Sequence, residues 1–374
     1  MTRITRIGWI TTRALAAARC YNSTMKAAVL TDDRTISIQH RPEPRIQENE
    51  VLLRSRHAGI CGTDIHVYRG EFKGRVSYPA VLGHEFGGVI EETGRAVKGF
   101  RAGDRVVVDP ILSCHSCPAC LSGHINACRT LKLLGIDIDG GFGELVAVPQ
   151  DRLFRLPDNI PTLNAPMLEL YAVGHHILSR GHVQVGETVA ILGAGRLGLS
   201  ILDVLCHSAG PARTFVTDFQ PFRLEAAKLL GADETIDISQ ADPVKRILEK
   251  TEGVGVDCVI EAVGHYHSFP DQEPPLSQAV KMVRNGGRIV TAGLGEQTTA
   301  VHFKTLVLKE AELIASRVTL GEFPRAIHLM SKGLLHPELL ISRELPIGQA
   351  GEAFAELDHE PPDTLKVVLN VAQW

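Results

Sequence analysis

Six residues, Gly193-Ala194-Gly195-Arg196-Leu197-Gly198, constrain this chain more than any other stretch. They follow an apolar run, Thr188–Leu192, that reads as a buried strand. They open a stretch, Leu197–Ser208, whose apolar residues recur at helical spacing. In that setting Gly193 permits a tight turn, Gly195 lets a ligand approach the main chain, and Gly198 lets helix and strand pack closely. The free N–H groups and positive dipole end of the helix then favour a pyrophosphate. Asp218 ends the next expected strand, Thr214–Thr217, 20 residues past Gly198. An acid there accepts hydrogen bonds from ribose hydroxyls and repels a 2′-phosphate. Phe219 and Gln220 supply no cation beside it, so NAD is favoured over NADP. Leu197 and Arg223 are further cofactor-binding candidates, Arg223 beside the adenosine.

The same alternation continues along the chain. Leu168–Leu178 reads as a helix before the fingerprint. Helices over Phe222–Leu230, with Gly231 as its stop, Pro243–Lys250 and Leu276–Arg284 alternate with strands over Asp257–Ala262 and Arg288–Ala292. Strands alternating with helices imply a doubly wound parallel sheet covered on both faces. From Met25 to about Arg155 the pattern differs. Short β-type runs such as 51–56, 88–91 and 105–108 are punctuated by Gly94, Gly99, Gly103 and Pro110, as in an irregular β-barrel. A helix over Phe323–Ser331 and a last strand over Thr364–Val371 can return to that first domain.

With 374 residues, 44% of them hydrophobic and 22% charged, the chain can build about two domains with large cores. A net charge of −4 points to neither nucleic acid nor an anionic membrane surface. No apolar run reaches the ~18 residues of a membrane span. The first 24 residues carry Arg3, Arg6, Arg13 and Arg19, several threonines and no acid. Such a leader reads as a mitochondrial matrix presequence. The alternative is a cytoplasmic protein with Met25 as its effective start.

Cys114-x2-Cys117-x2-Cys120-x7-Cys128 is a compact four-cysteine cluster. Four thiolates at this spacing can close a tetrahedral shell around zinc, and a closed shell leaves no position for substrate. Such a zinc would be structural. An iron–sulfur cluster also takes four cysteines, but these spacings fit neither ferredoxin run.

Cys61-Gly62-Thr63-Asp64-Ile65-His66 and Gly83-His84-Glu85 add a second set of metal-ligand side chains. In order, these motifs, the four-cysteine lobe, Glu169 and the glycine fingerprint resemble the zinc-dependent medium-chain dehydrogenases of the alcohol dehydrogenase superfamily. The resemblance runs from Met25 to the end of the chain and is nearest the polyol (sorbitol-like) and threonine dehydrogenase branch. It implies a GroES-like catalytic domain over 25–172 plus 319–374 and a Rossmann NAD-binding domain over 173–318, after the leader 1–24. It also implies two zinc ions per subunit and a homodimer or homotetramer.

By that resemblance Cys61 and His84 ligate a catalytic zinc, and either Glu85 or Glu169 completes the shell or holds its water. Leu170 stands where the branch has a Pro after the glutamate. Asp64 orients the His84 ring. Zinc lowers the pKa of a bound alcohol, hydride passes to NAD, and Thr63 with His66 carries the proton away. Arg317 and Tyr68 are softer pocket candidates. His175, His176, Cys206 and Cys258 read as packing residues. The implied activity is oxidation of a secondary alcohol, a polyol or sugar-derived hydroxyl. An L-threonine or amino-alcohol 3-dehydrogenase is the alternative, and a non-catalytic nucleotide-binding protein is the reading from another class.

Overall fold

The computed structural model describes residues 23–72, 74–264, 273–295, 298–359 and 361–374. The leader lies almost wholly outside these residues. The strands of the nucleotide-binding sheet are β1 (Thr188–Leu192), β2 (Arg213–Asp218), β3 (Glu234–Asp237), β4 (Val256–Glu261), β5 (Val283–Thr291) and β6 (Glu312–Ala315). They lie in the order β3-β2-β1-β4-β5-β6, and every neighbouring pair is parallel. Side chains alternate strictly between two faces. Val189 and Ile191 of β1 enter one apolar cluster with Val216, Ile260 and Val290, while Ala190 and Leu192 enter another with Phe215, Val259 and Ile289. A sheet buried on both faces explains why its central strands read as continuous apolar runs.

The expected helices are found over Met167–Arg180, Arg196–Ser208, Pro221–Leu229, Pro243–Lys250, Pro275–Met282 and Phe323–Ser331. The sequence reading missed β3 and β6. Both are four residues long, carry acids and occupy the two edges of the sheet. Edge strands are short and charged because one side faces solvent, which erases their apolar signature.

The other domain is built around strand Glu50–Gly59. It pairs antiparallel with Glu85–Thr93, Leu145–Pro149 and Lys366–Asn370. Arg105–Val108 and Leu153–Arg155 extend this sheet on one side and Ile341–Pro346 on the other. Thr24–Asp32, Thr35–Pro42 and Ala80–Val81 form a second sheet, and Leu30, Leu53, Phe86, Phe142 and Phe354 share one core with it. The final strand thus returns to the first domain. Phe323, Met330, Leu340 and Leu365 of the returning segment join the cluster that covers one face of the parallel sheet. That shared core holds the two domains together around a cleft.

Candidate active site

Strand Glu50–Gly59 leads into Cys61, whose extended backbone (φ −94, ψ 164) starts helix Gly62–Tyr68. The Cys61 N–H donates to Asp64 Oδ2 at 2.8 Å, within a capping box that fixes the thiol at the helix start. Gly83 (φ +93) turns the chain beneath it. A Cβ at Gly83 would meet the Phe142 ring at 2.6 Å, so the turn requires glycine. His84 sits in that turn, and Glu85 is the first residue of strand Glu85–Thr93. Adjacent residues therefore reach one point from a turn and a strand end. Glu85 pairs in register with Gly59, where an added Cβ would lie 2.4 Å from Glu85 Oε2. The missing side chain makes room for the carboxylate.

Cys61, His84 and Glu85 each present one donor atom within 4.8 Å of the others. His84 Nδ1 lies 3.4 Å from Asp64 Oδ1, and Asp64 has no exposed surface. Burial opposes protonation of His84, but Asp64 and Cys61 beside it hold its pKa well above the usual imidazole value. Burial likewise opposes ionisation of Glu85, yet Lys366 and His84 keep its carboxyl below the usual range. Lys366 Nζ donates to Glu85 Oε2 and to the Ile60 carbonyl. Glu85 Oε1, His84 Nδ1 and Asp64 Oδ1 are buried without hydrogen-bond partners. Such orphaned atoms are costly in a finished core. A sulfur, nitrogen and oxygen set of this kind suits zinc, so the residues fit the metal the sequence implies.

Glu169 lies in the first turn of helix Met167–Arg180 and is not among the three converging donors. Burial and the nearby Glu85 charge push its carboxyl up to about 7. Leu170, in place of the branch's proline, continues the helix and lines the cleft.

The four cysteines of the lobe also converge, with all donor atoms within 4.8 Å. The Cys117–Cys120 and Cys114–Cys120 Sγ separations are 3.5 and 3.9 Å. Zinc–sulfur bonds of about 2.3 Å set tetrahedral edges near 3.8 Å, so this shell too fits zinc. Main-chain N–H groups of Cys114 and Cys117 point at the sulfurs of Cys128 and Cys114. Asn126 of the lobe contacts His176 Nε2, and His176 Nδ1 bonds Glu322 at 2.8 Å, which docks the lobe on the helix that carries Glu169. His175 and His176 are thus buried packing residues, as are Cys258 and, in part, Cys206.

A cleft of about 360 Å³ runs from Cys61, Thr63 and His66 past Lys366 to Gly195 and Asp218. His66 Nδ1 is bonded to Glu71 at its outer edge. Gly193, Leu197 and Arg223 line the cleft as well. The three fingerprint glycines have distinct reasons. Gly193 adopts φ +95, an added Cβ at Gly198 would lie 1.8 Å from the Gly193 carbonyl, and an added Cβ at Gly195 would meet nothing within 4 Å. Helix Arg196–Ser208 has no side-chain cap, which leaves its first turn open to a ligand. Asp218 does more than the sequence indicated. Its Oδ2 accepts from Ala194 N–H (2.8 Å), and its Oδ1 accepts from Phe219 and Gln220 N–H (2.8 and 2.9 Å), so it also holds the fingerprint turn. Arg223 brings a cation to 3.7 Å of Oδ2 that the reading of Phe219 and Gln220 had not supplied.

Tyr68 faces a neighbouring hollow with Arg34 and Asp358. Arg317 does not line the cleft, and its carbonyl accepts from Asn126. Sequence reasoning missed Lys366. Its signal was a lone lysine inside the apolar run Thr364–Val371.

A thiol, imidazole and carboxylate that converge where Cys61 opens on a cleft lined by a dinucleotide fingerprint define a metal-dependent nucleotide-linked dehydrogenase. Residues 47–158 match the alcohol dehydrogenase GroES-like domain, and residues 197–332 match the zinc-binding dehydrogenase domain. Sorbitol dehydrogenase of Bacillus subtilis is 32% identical over 92% of this chain and 97% of its own length. A solved Escherichia coli alcohol dehydrogenase, RspB, complexed with NADH, is 34% identical, with a TM-score of 0.86 over 93% of this chain and all of that one. A Sinorhizobium meliloti zinc-binding dehydrogenase bound to NADP is 30% identical, with a TM-score of 0.85 over 93% of this chain and all of that one. The chain belongs to the zinc-type medium-chain alcohol and polyol dehydrogenases, and it is an oxidoreductase.

Proposed function

We propose that this chain oxidises a secondary alcohol, a polyol or a sugar-derived hydroxyl, with NAD as hydride acceptor. The observation that carries the proposal is that Cys61, which converges with His84 and Glu85, lines the same cleft as the fingerprint. Cys61, His84 and Glu85 hold a catalytic zinc, and Cys114, Cys117, Cys120 and Cys128 hold a structural one, two per subunit. Bound zinc supplies Lewis acidity toward the substrate hydroxyl, and NAD supplies the hydride acceptor. Glu169, whose carboxyl is pushed up to about 7 by burial and by the Glu85 charge, would act beside the ligands rather than as one of them. Thr63 accepts the substrate proton, and His66 passes it outward. Glu71 holds the His66 ring by Nδ1, which leaves Nε2 for the transfer.

The acid at Asp218 favours the ribose diol of NAD over the 2′-phosphate of NADP. Oδ2 retains a lone pair after bonding Ala194. A homodimer or homotetramer is supported by β6, an edge strand flanked by the exposed side chains of Phe303, Leu308 and Leu313. The Arg-rich, acid-free leader supports delivery to the mitochondrial matrix, which a leader–reporter fusion tests by import.

The deciding experiment is alcohol-dependent NADH formation by the purified protein over a panel of sorbitol, xylitol, 2,3-butanediol and threonine. A polyol is expected to give the highest kcat/KM. Threonine as the leading substrate would overturn the substrate class. Cys61→Ser and His84→Ala are expected to abolish turnover while NADH binding persists; unchanged turnover in both would overturn the site.

A further inference from the structure

A third convergence of ligand-type side chains lies outside the cleft. Asp203 and His207 stand one turn apart on helix Arg196–Ser208, and His336 lies in the segment that returns the chain to the catalytic domain. One donor atom from each lies within 4.8 Å of the others. We propose that Asp203, His207 and His336 form a third metal site, for a divalent transition-metal ion, at the junction of the two domains.

Geometry and charge both support this site. The His336 and His207 Nδ1 atoms lie 3.1 and 3.4 Å from the same oxygen, Asp203 Oδ1. Bonds of about 2.0–2.1 Å to imidazole nitrogen and carboxylate oxygen set the edges of a tetrahedral shell near 3.3 Å. Two imidazoles and a carboxylate suit zinc, cobalt, nickel or copper. Asp203 is fully buried, and its ion-pair partners among the described residues are these two histidines alone. Burying an ionised carboxylate is costly, and a bound cation offsets that cost.

The ligands are also held in place from behind. Asp203 Oδ2 accepts from Tyr171 Oη (2.8 Å) and from His336 N–H (2.7 Å), which leaves Oδ1 turned to the two rings. His207 Nδ1 also lies 2.8 Å from the Asp203 carbonyl, so in the ion-free form its proton is shared there. The ion takes the place of the imidazole protons on the Oδ1 side. Both rings reach solvent, at 26% and 37% side-chain exposure, which gives the ion its entry path. Once bound, it ties the helix that begins at the fingerprint to the segment leading back into the catalytic domain.

The test uses zinc-loaded enzyme titrated with Co2+, read by metal analysis, visible absorption and melting temperature. One additional cobalt per chain is expected. It should bring weak d–d bands, no thiolate charge-transfer band, no zinc release and a rise in Tm. His207→Gln and His336→Gln should each lose that cobalt and the Tm rise while keeping the zinc of the parent. If His336→Gln does not fold, His207→Gln, in the last turn of its helix, gives the same reading. The proposal is overturned if no additional cobalt binds, if cobalt enters only with zinc release and thiolate bands, or if the extra cobalt persists in the variants.

Discussion

Lys366 and Glu85 form an ion pair that solvent does not reach, between the last strand of the chain and the strand that follows His84. The pair joins sequence positions 281 residues apart. It fixes one oxygen of Glu85, which leaves the other for the space shared with Cys61 and His84.

Removing one partner strands a buried charge, which typically costs about 3–5 kcal/mol. Lys366→Met is therefore expected to lower unfolding stability by that order. Lys366→Met with Glu85→Gln should recover a large part of the loss, because no full charge is then left alone. Urea unfolding of the two single variants and the double variant measures the coupling. Additive losses would show that the pair is not the cause.

The choice between Glu85 and Glu169 becomes a metal-content measurement. Glu85→Gln removes a converging donor and should leave the protein with about one zinc per chain, the one in the cysteine lobe. Glu169→Gln removes a neighbour of the shell and should retain about two, with reduced turnover. The reverse pattern would make Glu169 the ligand.

Two fingerprint glycines should fail differently. Gly198→Ala places a methyl group where only 1.8 Å separates it from the Gly193 carbonyl, so the strand–helix junction must move. Loss of fold stability by several kcal/mol is expected. Gly195→Ala meets nothing in the free protein and should stay within about 0.5 kcal/mol of the parent, while the methyl intrudes on the pyrophosphate and weakens NADH binding. Thermal melts with and without NADH separate the two behaviours.

Asp109 predicts a pH dependence. Burial pushes its carboxyl up to about 6, against partial relief from the Ile111 N–H and from Arg152. The folded state then holds a proton that the unfolded state has already released between about pH 4 and pH 6. Stability falls as pH rises through that window, by an amount on the order of 3 kcal/mol. Asp109→Asn has no such proton to lose. Its stability relative to the parent should rise from pH 4 to pH 7, as read by chemical unfolding at several pH values. A constant difference would contradict the assignment.

Much of this architecture was legible because it rests on local signals. The central strands β1, β2 and β4 are buried on both faces and therefore read as apolar runs. The glycines of the fingerprint are demanded by turn and packing geometry within six residues. The cysteine lobe spans 15 residues. By contrast, β3 and β6 were missed because edge strands carry charge. Arg223 was legible as a cofactor-site residue, but its approach to Asp218 was not, because a helix turn brings it back over the strand end.

By itself the sequence determined the parallel sheet, the dinucleotide fingerprint, the four-cysteine shell and the set of side chains able to bind a catalytic metal. Only the tertiary structure decided which of those side chains meet. Glu85 rather than Glu169 joins Cys61 and His84 because Gly59 leaves room beside Glu85 and Lys366 neutralises it across the sheet. Asp203 meets His336 only because the chain returns past the fingerprint helix. Electrostatic neighbours act through space, so a buried charge and its partner leave no periodicity in the chain by which to find them.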